Sequence, residues 1–251
     1  MITFISPAKG FNDIDISGTS SPEYIIESKS IVNKLKTLDV NEISKIMKIK
    51  SELAKLNYDR FINFKFDKNG TPAILSYSGL QYQNINVFSL TDDDLQYANS
   101  HIRILSGLYG IVKPLDSIYP YRLEMMTKIN IDGHKNLYEY WSDKLYKSLK
   151  RASNGVIVNL ASDEYSKCVK KYVDDNVKYI TCIFKIEKNN TLKTLATASK
   201  TARGNMINYI IKNRIDNYKL LKNFDIDAYK FNEKLSNEDT NLVEYVFVKK
   251  I

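Results

Sequence analysis

The sequence predicts a mixed α/β fold with antiparallel strand pairs, in a single domain spanning residues 1–251. Three observations predict it. Apolar runs of the buried-strand kind, "ITFIS" at the start and "GVIVNLA" from Gly155, are separated by long helical stretches. Apolar residues recur at helical spacing from Asn41 to Phe66 and again in "SKTARGNMINYIIKNRI". Towards the C-terminus, two pairs of strand-like runs are joined by short polar turns, the signature of antiparallel pairing. A chain of 251 residues can bury a full core, and 43% hydrophobic with 26% charged residues excludes disordered and collagen-like classes.

Taken in order, "ITFIS" is a strand that stops at Pro7 and leaves Lys9 just past its end. A helix is expected to begin near Pro22, and the helical stretch from Asn41 to Phe66 to break in its middle and end at "KNGTP". "PAILSY" reads as a strand and "SGLQYQNINVFSL" as a glycine-started helix or loop. "TDDDLQYANS" has a Thr91 cap with acids in its first turn, where the helix dipole favours them. "LYEYWSDKLYKSLKRA" reads as one helix, and "SDEYSKCVKKYV" as another capped by Ser162. "VKYITCIFKIEKNNTLKTLATA" reads as a hairpin turning at Asn189 and Asn190. The long helix "SKTARGNMINYIIKNRI" and the strands "AYKFNEKL" and "LVEYVFVKK" complete the chain.

No apolar run approaches the roughly 20 residues that span a bilayer, and the N-terminus has no signal-peptide pattern, so a cytoplasmic protein without membrane contact is expected. Cys168 and Cys182 match no metal clip and read as reduced, packed thiols. With His101 and His134 as the two histidines, and no HExxH or CxxC, neither a metal nor another cofactor is expected. The net charge of +8 makes an anionic partner plausible. Lysines greatly outnumber the six arginines, however, a bias that base composition of the genome can produce, so placement must decide.

Three constellations stand out. Lys200 and Arg203 are expected in or near the first turn of the last long helix, where two cations oppose the dipole unless an anion joins them; the alternative is that both point to water. Gly204 beside them marks close approach by a backbone or ligand. The second is "RILSGLYGIVKPLDSIYPYRLEM", residues 103 to 125, where Gly107, Gly110, Pro114 and Pro120 constrain a loop system carrying Arg122 and Glu124 on one side of an extended stretch. The third is "ISKIMKIKSELAKLN", whose Ile46, Ile49, Ala54 and Leu56 follow helix-hairpin-helix spacing, a motif that points backbone N–H groups at phosphate. Lys48 and Lys50 occupy its glycine positions, so a kinked or continuous amphipathic helix is the competing reading.

Together "ISPAK", "AILSYSGLQY", the 103–125 block, "NLASDEYSKCVK" and "KTARGNMINYIIKNR" resemble the bacterial YaaA peroxide-stress proteins along essentially the whole chain. The chain departs from that pattern at Met126, where the family usually has glycine, in the loop after "SPAKGFN", and in "YSGLQYQNI", which lacks a later glycine. The resemblance implies a compact α/β domain with a positively charged cleft and a helix-hairpin-helix, sequence-independent binding of duplex and distorted DNA, and a role in limiting oxidative damage from unincorporated iron. By motif position it makes Lys9, Arg103, Lys113, Arg122, Lys167, Lys200 and Arg203 cleft candidates, with Tyr82, Tyr109 and Tyr165 as base or sugar contacts. Lys48 and Lys50 join them on the hairpin. A non-catalytic binder of double-stranded or structured DNA is the leading expectation. The rival is an enzyme acting on a nucleotide or damaged base, with Lys9, Glu124 and Glu164 as its chemistry and Asn159 and Arg203 nearby.

Overall fold

The computed structural model describes residues 1–67 and 69–251. Strand β1 (Ile2–Ile5) is buried along its whole length, as a strand with neighbours on both edges requires. After the two-residue β2 (Gly10–Phe11) the chain enters α1 (Ile25–Lys36), later than the start expected near Pro22. Helix α2 (Val40–Met47) begins on a capping box, in which the Glu42 N–H donates to Asp39 and the Asp39 N–H to Glu42, both at 2.8 Å. It stops at Lys48, whose left-handed backbone (φ 52°) turns the chain into α3 (Ser51–Ile62). A continuous helix is therefore excluded: the lysine accepts a conformation glycine would adopt more easily. The turn expected at "KNGTP" includes Lys68, which lies outside the described residues.

The strand expected in "PAILSY" is instead β3 (Thr71–Pro72), one helical turn α4 (Ala73–Ser76) and β4 (Tyr77–Ser78). All four residues of that turn are buried, so the stretch carries no alternation to separate strand from helix. Next come α5 (Leu80–Ile85) and α6 (Asp92–His101), the latter with the Thr91 cap and Asp94 as its reciprocal partner. The 103–125 block folds as β5 (Ile102–Ser106), β6 (Gly110–Val112), β7 (Ser117–Ile118) and an extended tail. Where one helix was expected, α7 (Leu137–Trp141) and α8 (Lys144–Ala152) are separated at Ser142, which has φ 45°. The break lets Trp141 pack over Gly110, where a Cβ would fall 2.6 Å from the indole, and donate its Nε1–H to the Gly107 carbonyl at 3.0 Å.

Strand β8 (Val156–Leu160), α9 (Asp163–Lys170) and the hairpin β9 (Lys178–Lys188) to β10 (Thr191–Lys193) follow, with Asn189 and Asn190 both left-handed at the turn. Helix α10 (Ala196–Lys212), β11 (Lys230–Phe231) and β12 (Leu242–Lys250) end the chain. The main sheet has the order β11-β12-β9-β8-β1-β5-β6, with β10 paired to β9. Its centre, from β12 to β5, is parallel, while β11, β10 and β6 are antiparallel attachments. One core runs through this mixed α/β domain, from Ile2, Phe4 and Ile5 of β1 to Tyr245 and Phe247 of β12. Among the described residues, no helix is long and apolar enough to cross a membrane.

Candidate functional site

The site grows from the carboxyl ends of two neighbouring parallel strands. Phe4 of β1 lies in register with Asn159 of β8 on one side and Arg103 of β5 on the other. The chain first adds β5 on one edge of β1 and later β8 on the opposite edge, so the strand order reverses between β1 and β8. Open α/β sheets hold ligands at such points, outside the carboxyl ends of the strands. Ser6 and Ser162 stand immediately past those ends; the Ser162 N–H donates to Ser6 Oγ at 2.9 Å, and the two hydroxyl oxygens are 3.2 Å apart. Ser162 thus spends its side chain on Ser6 and not on capping α9.

The tail of the 103–125 block is held against this point by buried hydroxyls. Ser106 Oγ lies 2.6 Å from the Tyr121 hydroxyl, which lies 2.8 Å from that of Tyr77, and Ser106 also accepts from the Tyr109 N–H at 2.8 Å. Gly107 is needed because the Leu123 carbonyl occupies the space of a side chain. Helix α10 closes the site by packing on α5, and at Gly204 a Cβ would fall 2.7 Å from Asn84 Cβ and nearer still to the Gln81 carbonyl oxygen. The glycine therefore serves backbone approach.

These segments enclose a pocket of about 300 Å³, lined by the cations Lys9, Arg122, Lys200 and Arg203 and the carboxylates Glu124 and Glu164. Glu124 Oε1 takes both Lys9 Nζ and Arg122 Nη2 at 3.0 Å, while Glu164 Oε1 accepts the Met126 N–H at 3.2 Å. Among the described residues, Lys200 and Arg203 have no carboxylate within ion-pair distance. Burial pushes the Arg203 pKa below its ordinary value, with Asp163 and Cys182 acting in the other direction. The Nε atoms of Arg203 and Arg122 and the Gln81 amide nitrogen are buried without a hydrogen-bond partner. Tyr82, Tyr121 and Tyr165 form apolar wall, and burial drives the Tyr82 and Tyr165 phenols well above their ordinary pKa.

Several sequence-based assignments need correction. Lys200 lies directly after the first turn of α10, which begins at Ala196, and Arg203 about one turn further, so the dipole acts weakly on the first and not on the second. Arg103 and Lys113 line a separate recess with Glu23, Asp116 and Arg151. There Arg103 donates to the Asn99 and Ile102 carbonyls, at 3.0 and 2.7 Å, and burial lowers its pKa. Lys167 lines a third groove beside Lys170 and Lys171. Tyr109 is a core residue whose hydroxyl accepts from the Tyr119 N–H at 3.0 Å. Tyr82 and Tyr165 do reach the pocket, but both are more than nine-tenths buried and offer little ring face to a base. Asn159 bonds the Ala161 N–H at 2.9 Å beneath the site and does not line it. Lys48 and Lys50 stay exposed on the α2–α3 turn.

Sequence reasoning missed Ser6 and Gln81. A serine at the carboxyl end of a parallel strand was a readable signal for the first, whereas Gln81 has meaning only through the approach of α10.

A family model described as peroxide stress protein YaaA matches residues 1–235. The chain belongs to the YaaA peroxide stress protein family. A UPF0246 protein of Clostridioides difficile is 49% identical over 251 residues, covering 99% of this chain and 100% of the relative. UPF0246 proteins of Clostridium perfringens (42%, covering 96% of this chain and 98% of the relative) and Ligilactobacillus salivarius (40%, 99% and 100%) are similar over comparable spans. The YaaA match thus takes in every segment that lines the pocket.

Proposed function

We propose that this member of the YaaA family binds DNA without regard to sequence during peroxide stress, and that DNA so covered is shielded from damage linked to unincorporated iron. One observation carries the reading: four cations from three separated segments meet in one concavity with two carboxylates to offset them. Such a surplus attracts phosphate, and phosphate contacts carry no sequence information. The α2–α3 turn adds exposed Lys48 and Lys50 beside the first-turn N–H groups of α3, in the manner of a hairpin that grips backbone. The test is a mobility shift on duplex, bubble and junction DNA across a salt series. Affinity should fall steeply with salt and weaken in Arg122→Ala and Arg203→Ala; unchanged binding by both variants would refute the assignment.

A specific observation favours a second reading, an enzyme acting on a nucleotide or damaged base. Glu124 is 12% exposed, sits between Lys9 and Arg122, and borders a ligand-sized pocket at the strand reversal. Borohydride trapping and product analysis on abasic and oxidised DNA separate the two. Turnover lost in Lys9→Ala or Glu124→Gln would establish the enzyme, and binding without turnover the DNA-binding protein.

A further inference from the structure

We propose that the pocket is a subsite for a single terminal phosphate, a phosphomonoester dianion attached through one substituent. This rests on the reading of the pocket as an anion site and goes further by naming which phosphate enters it.

The buried side-chain atoms of the pocket lining that lack a partner are all donors. Arg203 makes no hydrogen bond or ion pair within the described residues, and its Nε is buried. Arg122 spends Nη2 on Glu124 but leaves Nε buried and unpartnered. Gln81, at 7% exposure, leaves its amide nitrogen buried without an acceptor. Each such orphan destabilises the fold when nothing joins it. The three residues that carry them, from α5, α10 and the 121–124 segment, all line one pocket, and a ligand made of acceptors would supply what these donors lack once the side chains turn to it. A phosphomonoester presents three acceptor oxygens.

Charge decides between a terminal and an internal phosphate. Lys9, Arg122, Lys200 and Arg203 face Glu124 and Glu164, which leaves an excess of two positive charges. A monoester carries about −1.5 to −2 at neutral pH, whereas an internal diester carries one charge. Pro7, Ala8 and Leu80 in the lining offer apolar surface to the sugar or base that follows the phosphate.

The terminal phosphate has two sources, a nucleic-acid strand end or a free nucleotide, and fluorescence anisotropy distinguishes them. The probes are short oligonucleotides ending in 5′-phosphate, 3′-phosphate or hydroxyl, and a covalently closed dumbbell duplex without ends; the competitors are deoxyadenosine monophosphate and deoxyadenosine. A phosphorylated end should bind about tenfold tighter than a hydroxyl end or better, the scale of one good charge-assisted contact. The monophosphate, but not the nucleoside, should remove that advantage. Gln81→Met, which keeps shape and drops the donor, and Arg203→Met should each abolish it. Equal affinity for phosphorylated and hydroxyl ends would overturn the proposal, while continued dumbbell binding would leave the DNA reading standing. Competent monophosphate binding with no affinity for any oligonucleotide would uphold the terminal-phosphate site and overturn the DNA reading.

Discussion

Gly204→Ala probes the contact that builds the pocket. In an unencumbered helix alanine would gain ~0.8–1.0 kcal/mol over glycine. Here the added Cβ would lie 2.7 Å from Asn84 Cβ, 3.2 Å from the Asn84 carbonyl carbon and closer still to the Gln81 carbonyl oxygen. Carbon atoms rest at about 3.5–4.0 Å, so α5 and α10 must separate by roughly 1 Å. Two of those three neighbours are backbone and cannot rotate away, which puts the overpacking cost towards the upper part of the usual ~1–3 kcal/mol. Net of the propensity gain, the variant should lose about 1–2 kcal/mol. For a domain of this size that lowers Tm by roughly 2–8 °C. Separation also draws Gln81 and Tyr82 from their places, and the Tyr82 hydroxyl donates to the Ser6 carbonyl at 3.0 Å, so anion affinity should fall with stability. Calorimetry with parallel phosphate titration reads both. A Tm equal to or above that of the wild type would refute the close approach on which the site depends.

Glu124→Gln should strengthen DNA binding by about 2–5-fold, because it frees Lys9 and Arg122 from a shared carboxylate at a partly screened site; weaker binding would show that Glu124 positions these cations rather than opposing the ligand. Asp94 is held well below the usual carboxylate range by Lys212 Nζ at 2.6 Å, the Thr91 N–H and Arg214 Nη1 at 2.8 Å. Its stabilisation is therefore full above the unfolded value of about 3.9 and is lost as pH falls through the folded one, so urea melts of Asp94→Asn should show a deficit at pH 7 that closes in strong acid. Burial pushes the Cys168 and Cys182 thiols up to about 12, so native protein at pH 8 should resist thiol reagents and react only in denaturant; rapid native labelling would contradict this. Lys48→Gly should stabilise by ~0.5 kcal/mol, the left-handed strain less the added unfolded-chain entropy, and lowered stability in chemical denaturation would count against that turn.

The strands at either side of the reversal were legible because each is a short apolar run, and the capped helix at Thr91 and the Asn189–Asn190 hairpin because their signals are local. The break between α7 and α8 was not legible, since nothing at Ser142 marks a left-handed residue; Trp141 needs it to reach Gly110 and Gly107, a contact across the fold. The same applies to the site. Lys9, Arg122, Glu124, Glu164, Lys200 and Arg203 could be named from their motifs, and the fold brings all six to one pocket. Arg103 sits in the same motif as Arg122 and faces elsewhere, because alternation along β5 sets its direction and motif membership does not. The tyrosines misled because a ring in a binding motif and a ring in a buried hydroxyl network look alike in one dimension.

The central claim is that cations from distant segments converge to hold one tetrahedral anion. Soaking crystals of the protein with tungstate and locating the metal by anomalous scattering tests it most directly. A peak bounded by Arg122, Lys200, Arg203 and the Gln81 amide is expected, absent in Arg203→Met. A pocket without a peak, with tungstate instead beside Arg103 and Arg151 or along Lys167, Lys170 and Lys171, would contradict it.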